Sequence, residues 1–156
     1  MAATRSAGLL LFRRQPQLQV LIGHLGGPMW SRRDEAAWSI PKGEYGPEET
    51  PLQAARREFT EELGLPVPEA ELTDLGTVRQ SSGKQVSIWA AEADLDLDQV
   101  VLGTFEMEWP PGSGRMQRFP ELDRLAWCTP DEARPRLITA QRAFLARLAE
   151  HLDAAG

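Results

Sequence analysis

Residues 57–63 read REFTEEL and place Arg57, Glu58, Glu61 and Glu62 within seven positions. On a helix, Glu58, Glu61 and Glu62 stand at i, i+3 and i+4 and share one face beside the apolar Phe59. Three ionised carboxylates there raise one another's pKa values unless a cation neutralises them. Oxygen-only ligands on a rigid helix suit a hard divalent ion, Mg²⁺ or Mn²⁺. Mg²⁺ usually keeps waters and takes further ligands from substrate phosphates, so the cluster predicts a phosphate substrate together with a metal. The plain alternative is a solvated acidic face laced to Arg56 and Arg57, and the seven residues alone favour it.

The surrounding elements reverse that balance. Thr50 is a good N-cap, Pro51 suits the first helical position and Gln53 completes a capping box. Leu52, Ala55, Phe59 and Leu63 recur at helical spacing and should face the core. Gly64 is placed for a left-handed C-terminal cap, and Pro66 and Pro68 prevent continuation. Upstream, AWSIPKGEYGPEE (37–49) reads as a short strand entering a Gly/Pro loop. The whole stretch 43–65, GEYGPEETPLQAARREFTEELGL, resembles the signature of the Nudix hydrolases: G, five residues, E, seven residues, R-E-apolar-x-E-E-x-G-apolar. Gly43, Glu49, Arg57, Glu58, Phe59, Glu61, Glu62, Gly64 and Leu65 fill it without departure. Seven fixed residue types at roughly 6% each would coincide by chance in well under ~10⁻⁶ of chains.

The resemblance implies a strand, loop and helix holding Mg²⁺ at a diphosphate. It makes Glu58, Glu61 and Glu62 metal ligands, with Glu58 and Glu62 the main ones, and one carboxylate the general base or its positioner. The base stays open between Glu58, Glu61 and a carboxylate outside the motif. Arg57 is implied to pair with Glu49 and orient the glutamates, Gly43 and Gly64 to shape the loop and the helix end, and the Lys42 backbone carbonyl to be a further ligand. The expected reaction is attack of water on a P–O–P bridge in a nucleoside diphosphate linked to another group. Pro41-Lys42-Gly43 resembles the diadenosine polyphosphate and diphosphoinositol hydrolases, which leaves nucleoside triphosphates and dinucleoside polyphosphates nearly level as substrates. The competing class is a Nudix-fold module that senses a nucleotide without cleaving it; retention of every motif glutamate speaks against it.

Outside the signature, FEMEWPP offers Glu106 and Glu108 as a further site acid, the two not separable, or else as exposed positions alternating with Phe105, Met107 and Trp109 in a strand. Trp109 is placed either to stack on a base or to sit half-buried at an edge. Arg32 and Arg33, beside Trp30 on a long loop, are either a phosphate clamp or partners of Asp34 and Glu35. The Lys42 ammonium could reach a phosphate at the mouth of the metal site. Arg115 and Arg118 are weaker candidates. Lys84 is expected only to decorate a hairpin, His24 to be structural, His151 exposed and Cys128 part of the core.

The remaining chain supplies the frame. SAGLLLFRR (6–14) and QLQVLIGHL (17–25) read as buried strands around Gln15-Pro16. Residues 24–38 form a long loop, and 72–80 and 84–95 a hairpin about Ser81-Ser82-Gly83. Residues 105–123 are a Pro/Gly-rich loop after a possible strand, and 124–129 a last strand. Thr129 caps a short helix, and 139–155 is an amphipathic helix with Ala143, Phe144, Leu148 and Leu152 on one side. This order fits a single domain over 1–156 with the Nudix-type α/β/α sandwich: a mixed, curved sheet, the motif helix on one side and the C-terminal helix on the other.

The 156 residues carry a net charge of −6, which supplies no basic field for an extended nucleic acid. One cysteine excludes an internal disulfide and fits a reducing compartment. The apolar run Gly8–Phe12 is too short for a signal-peptide core or a membrane span. The expectation is a cytoplasmic enzyme of small nucleotides, monomer or homodimer.

Overall fold

A computed structural model describes residues 4–155, so the outermost residues of the expected 1–156 domain lie outside it. Nine strands and three α-helices follow one another: β1 Arg5–Arg13, β2 Gln19–Leu25, β3 Trp38–Ser39, β4 Lys42–Glu44, α1 Pro51–Leu63, β5 Thr73–Arg79, β6 Gln85–Glu92, β7 Thr104–Glu108, β8 Met116–Pro120, β9 Leu122–Cys128, α2 Pro130–Arg136 and α3 Arg142–Ala155. The main sheet runs β3-β2-β1-β6-β5, with β4 also paired to β1 and β9 to β2. β1 is parallel to β6 and antiparallel to β2 and β4, so the sheet is mixed.

Strand β1 is apolar on both faces because helices cover both. Ala7, Leu9 and Leu11 pack with Ala54, Ala55, Phe59 and Leu63 of α1. Leu10 and Phe12 pack on the opposite face with Phe144, Leu145 and Leu148 of α3. The alternation follows the two-residue period of a strand. Phe59 is fully buried, so Phe59→Ala would cost roughly 3–5 kcal/mol. Register shifts between His24 and Leu25 and between Asp74 and Thr77 bend the sheet.

β1 also forks. Its end pairs with β2 at Phe12 and Arg13, whereas Ser6–Gly8 pair with Glu44–Lys42 of β4. The fork opens a space over the N-terminal ends of β1 and β6, and α1 lies across it.

Three details differ from the sequence reading. Leu52 is 37% exposed, because the buried stripe of α1 is Ala54, Ala55, Glu58, Phe59, Glu62 and Leu63 and begins after the first turn. Ala143 is exposed and Leu145 buried: the stripe through Gln141, Phe144, Leu145 and Leu148 leaves residue 143 on the far side of the helix. The segment 105–123 is not a loop after one strand but a complete hairpin. β7 and β8 pair from Thr104–Pro120 to Glu108–Met116, with Phe105 and Phe119 6.0 Å apart. The Pro/Gly cluster at 110–114 makes only its turn. Among the described residues, no helix is long and apolar enough to cross a membrane.

Candidate active site

The helix is fixed at both ends by its own sequence. The Thr50 hydroxyl accepts from the Gln53 N–H, and the Gln53 side chain accepts from the Thr50 N–H. Gly64 adopts φ +70° and donates to Thr60 O at 2.8 Å. The last carbonyls of α1 are taken up by the next segment: Val101 N–H donates to Leu63 O at 2.9 Å and Gly103 N–H to Glu62 O at 3.0 Å. Glu121 N–H then donates to Gly103 O at 2.8 Å, and Gly26 N–H to Glu121 O at 3.0 Å. The base of the β7–β8 hairpin and the start of loop 26–37 are thereby tied to the end of α1.

These elements enclose a cleft of about 490 Å³ lined by Ser6, Lys42, Gly43, Glu44, Glu58, Glu61, Glu62, Lys84, Gly103, Thr104 and Glu121. Gly43 leaves room for Glu58: a Cβ there would overlap the Glu58 carboxylate and force it to shift. Arg57 braces the outer edge. Its Nε and Nη2 donate to the two Glu49 oxygens at 2.8 and 2.7 Å, and its Nη1 to Glu58 at 2.8 Å and Glu61 at 3.0 Å. The guanidinium draws the Glu49 carboxyl below its ordinary pKa. In return the carboxylates, Glu49 first, raise the Arg57 pKa.

The inner part of the cleft is not balanced in this way. Glu58 and Glu62 are each only 8% exposed. Burial pushes the Glu58 pKa up even though Arg57 pulls it down. Burial, then the charges of Glu121 and Glu58, push Glu62 up to about 8. Burial likewise raises Glu121. Burial and the neighbouring Lys84 bring Lys42 down to about 8. The Ser6 hydroxyl, also lining the cleft, is buried without a hydrogen-bond partner.

Among the described residues no three acidic, histidine or cysteine side chains converge as a ready-made cage. Five carboxylates nevertheless line one cleft with only two ammonium groups; Arg57 pairs with Glu58, while among the described residues Glu62 and Glu121 form no ion pair. That donor set fits a hard divalent cation that keeps part of its water shell better than a dry, fully coordinated site.

The structure brings together Lys42, Gly43, Glu58, Glu61 and Glu62, with Arg57 and Glu49 at the edge. It does not bring Glu106, Glu108, Trp109, Arg32 or Arg33 to the cleft wall. Glu106 pairs with Arg118 across the hairpin at 3.2 Å, and Glu108 accepts from the Gly112 N–H in the hairpin turn. Trp109 is half-buried beside that turn. Arg33 stacks over Trp30, its carbon 4.7 Å from the ring centroid, and Asp34 pairs with Arg136 and accepts from the Trp38 indole. His24 is structural, its Nε2 donating to Arg33 O at 2.6 Å and its Nδ1 2.8 Å from Asp123.

Two residues escaped the sequence reading. Lys84 does more than decorate a hairpin: it lines the cleft with its ammonium 3.2 Å from Glu44. The cause is the parallel pairing of β6 with β1, which sets the start of β6 beside Arg5 and Ser6. Glu121, the single residue between β8 and β9, is the later carboxylate on the cleft wall, rather than Glu106 or Glu108. Its only sequence signal is a carboxylate directly before the strand that begins at Leu122.

Residues 2–148 match the family model of the NUDIX domain. An RNA pyrophosphohydrolase of Pseudomonas putida is 39% identical over 54 residues, 34% of this chain and 34% of the relative. The chain thus matches about a third of the length of that curated relative. In overall shape the chain is similar to the Ap4A hydrolase of C. elegans in a binary complex, with a TM-score of 0.70, 22% identity, and 96% and 98% of the two chains covered. It is also similar to the NUDIX domain of Shewanella oneidensis NrtR complexed with ADP ribose, with a TM-score of 0.65, 15% identity, and 97% and 90% covered. Both structural likenesses are likenesses of fold.

Proposed function

This chain belongs to the Nudix family, and on that premise we propose that it is a divalent-metal-dependent pyrophosphohydrolase acting on a nucleotide that contains a P–O–P bridge. The observation that carries the reading is the convergence in one cleft of the buried Glu58 and Glu62 with the more exposed Glu121, all three with raised pKa values. Arg57 partly offsets Glu58, and the charge of Glu62 and Glu121 is left for a ligand to neutralise.

Glu58 and Glu62 would hold the ion, with Glu61 and the Lys42 carbonyl as further oxygen donors. When bound, a divalent ion offsets charge on phosphoryl oxygens and makes water a better nucleophile near neutral pH. Lys42 and Lys84 would take non-bridging phosphate oxygens, as the cations of the cleft. Glu121 or Glu61 would accept the proton of the attacking water. The new P–O bond forms as the bridging P–O bond breaks, and a phosphate leaves as its anion. Arg57 would not touch the substrate; it keeps Glu58 and Glu61 aimed by holding them against Glu49.

The RNA pyrophosphohydrolase relative and the Ap4A- and ADP-ribose-binding neighbours put several nucleotides on one panel: a nucleoside triphosphate, a dinucleoside tetraphosphate, ADP-ribose and a 5′-triphosphorylated RNA. Purified protein should cleave at least one of them with Mg²⁺ or Mn²⁺ and none with a chelator present. Binding without cleavage across the panel would instead favour a nucleotide-sensing module.

A further inference from the structure

A second cavity adjoins the cleft, and Glu44 lines both. This cavity measures about 620 Å³ and is lined by Thr4, Arg5, Glu44, Tyr45, Gly46, Pro47, Glu49 and Pro51. Arg57 touches Glu58 and Glu61 on the cleft side, Glu49 on the cavity side, and Glu44 O on the ridge between, at 3.4 Å.

The two spaces differ in chemistry. The cleft is lined by charge. The cavity is lined by Tyr45, half-buried against the core under α1, by Pro47 and Pro51, and by the exposed Arg5, with Glu44 and Glu49 the carboxylates on its wall. Among the described residues Arg5 forms no ion pair; only its backbone carbonyl is engaged, by the Tyr45 N–H at 3.0 Å. That same bond fixes Tyr45 beside Arg5 and continues the β1–β4 pairing past Ser6 and Glu44. A space with one aromatic ring and one guanidinium free of ion pairs, whose two carboxylates are already paired with Arg57 and Lys84, suits a planar heterocycle joined to a sugar and a phosphate. The ring can stack on the base, and the fork of Arg5 can take phosphate or sugar oxygens.

We propose that this cavity is the subsite for a nucleoside 5′-phosphate unit of the substrate, with the bridge to be cleaved lying across the Glu44 ridge in the neighbouring cleft. The subsite deepens the pyrophosphohydrolase reading and rests on it for the placement of the bridge. It makes Tyr45 and Arg5 specificity residues, and it restricts good substrates to those with a nucleoside directly attached to the cleaved phosphate chain.

The test is backbone amide NMR of the full chain with adenosine 5′-monophosphate, in parallel with inorganic phosphate. AMP should shift the amides of Arg5, Tyr45 and Gly46, and inorganic phosphate alone should leave them in place. Tyr45→Ala should weaken AMP binding about 5-fold or more, the scale of one lost base stack, whereas Tyr45→Phe should retain it. Melting curves of both variants check that they remain folded. AMP shifts confined to loop 26–37 or the β7–β8 hairpin, no AMP shifts at all, or unchanged affinity in Tyr45→Ala would overturn the proposal. Cleavage of the nucleotide panel is scored separately. Active enzyme with AMP shifts elsewhere removes the subsite and leaves the pyrophosphohydrolase reading standing. AMP shifts at Tyr45 in a protein that cleaves nothing remove that reading and leave the subsite.

Discussion

The two flanks of the cleft contain the same side chains in opposite electrostatic condition. On the outer flank Glu49, Glu58 and Glu61 gather about Arg57 at hydrogen-bond distance. On the inner flank the buried Glu62 and the more exposed Glu121 share the cleft wall, with Lys42 and Lys84 as the nearby cations. Glu58 spans both, paired with Arg57 yet still raised by burial. Charge that the protein satisfies itself sets geometry; charge that it buries without a partner is a vacancy for a ligand. On the proposed reading the Arg57–Glu49 pair would be scaffold, and the cleft-facing carboxylates, with Glu62 and Glu121 the least satisfied, the working surface.

Substitutions on the two flanks should separate these roles. Glu62→Gln removes a charge from the working surface and should lower the hydrolysis rate at least ~10²-fold with the fold intact, read by steady-state kinetics with saturating Mg²⁺. Arg57→Ala removes the brace. It should lower kcat by about 10-fold and also reduce the melting temperature by a few degrees, because three carboxylates lose their shared donor. Equal losses in the two variants, with no change in melting temperature for either, would erase the distinction between the flanks.

The pH dependence of stability sharpens the same contrast. Glu62 holds its proton to about pH 8 in the folded chain, so between about 4.5 and 8 the folded state binds more protons than the unfolded one, and stability falls as pH rises. Lys42 loses its proton near 8 rather than 10.5, so above 8 the unfolded state binds more, and stability rises again. Melting temperatures of the metal-free protein should trace a trough near pH 8, and added Mg²⁺ should fill it. A smaller effect belongs to the hairpin. Glu106→Gln and Glu108→Gln remove exposed carboxylates away from the cleft wall, and kcat/KM should stay within about 2-fold of the parent.

The two flanks also differ in how well they can be read from sequence. The outer one is local. Glu49, Arg57 and Glu61 lie on one loop and helix, and Thr50, Gln53 and Gly64 announce the helix ends in their own residue types. The inner one is assembled by long-range pairing. Lys84 arrives because β6 runs parallel to β1, and Glu121 because its backbone bonds to Gly103 and Gly26. No spacing ties either residue to the motif. Glu106 and Glu108 are the natural candidates in the sequence because they stand directly before a Pro-Pro turn in a later segment. The partner strand that turns them to Arg118 and to the hairpin turn is hidden in a stretch rich in proline and glycine. Tyr45 was likewise silent, since a lone tyrosine in a Gly/Pro loop says nothing until Arg5 is placed beside it.

On the proposed reading the buried carboxylates Glu58 and Glu62 would hold a divalent ion. Titration calorimetry of Mn²⁺ or Mg²⁺ into the metal-free protein, repeated in buffers of different ionisation enthalpy, tests it most directly. Below pH 8 binding should expel about one proton, affinity should rise with pH toward 8, and Glu62→Gln should abolish most of the proton release. Absence of binding, or binding that releases no proton and ignores pH, would contradict the account.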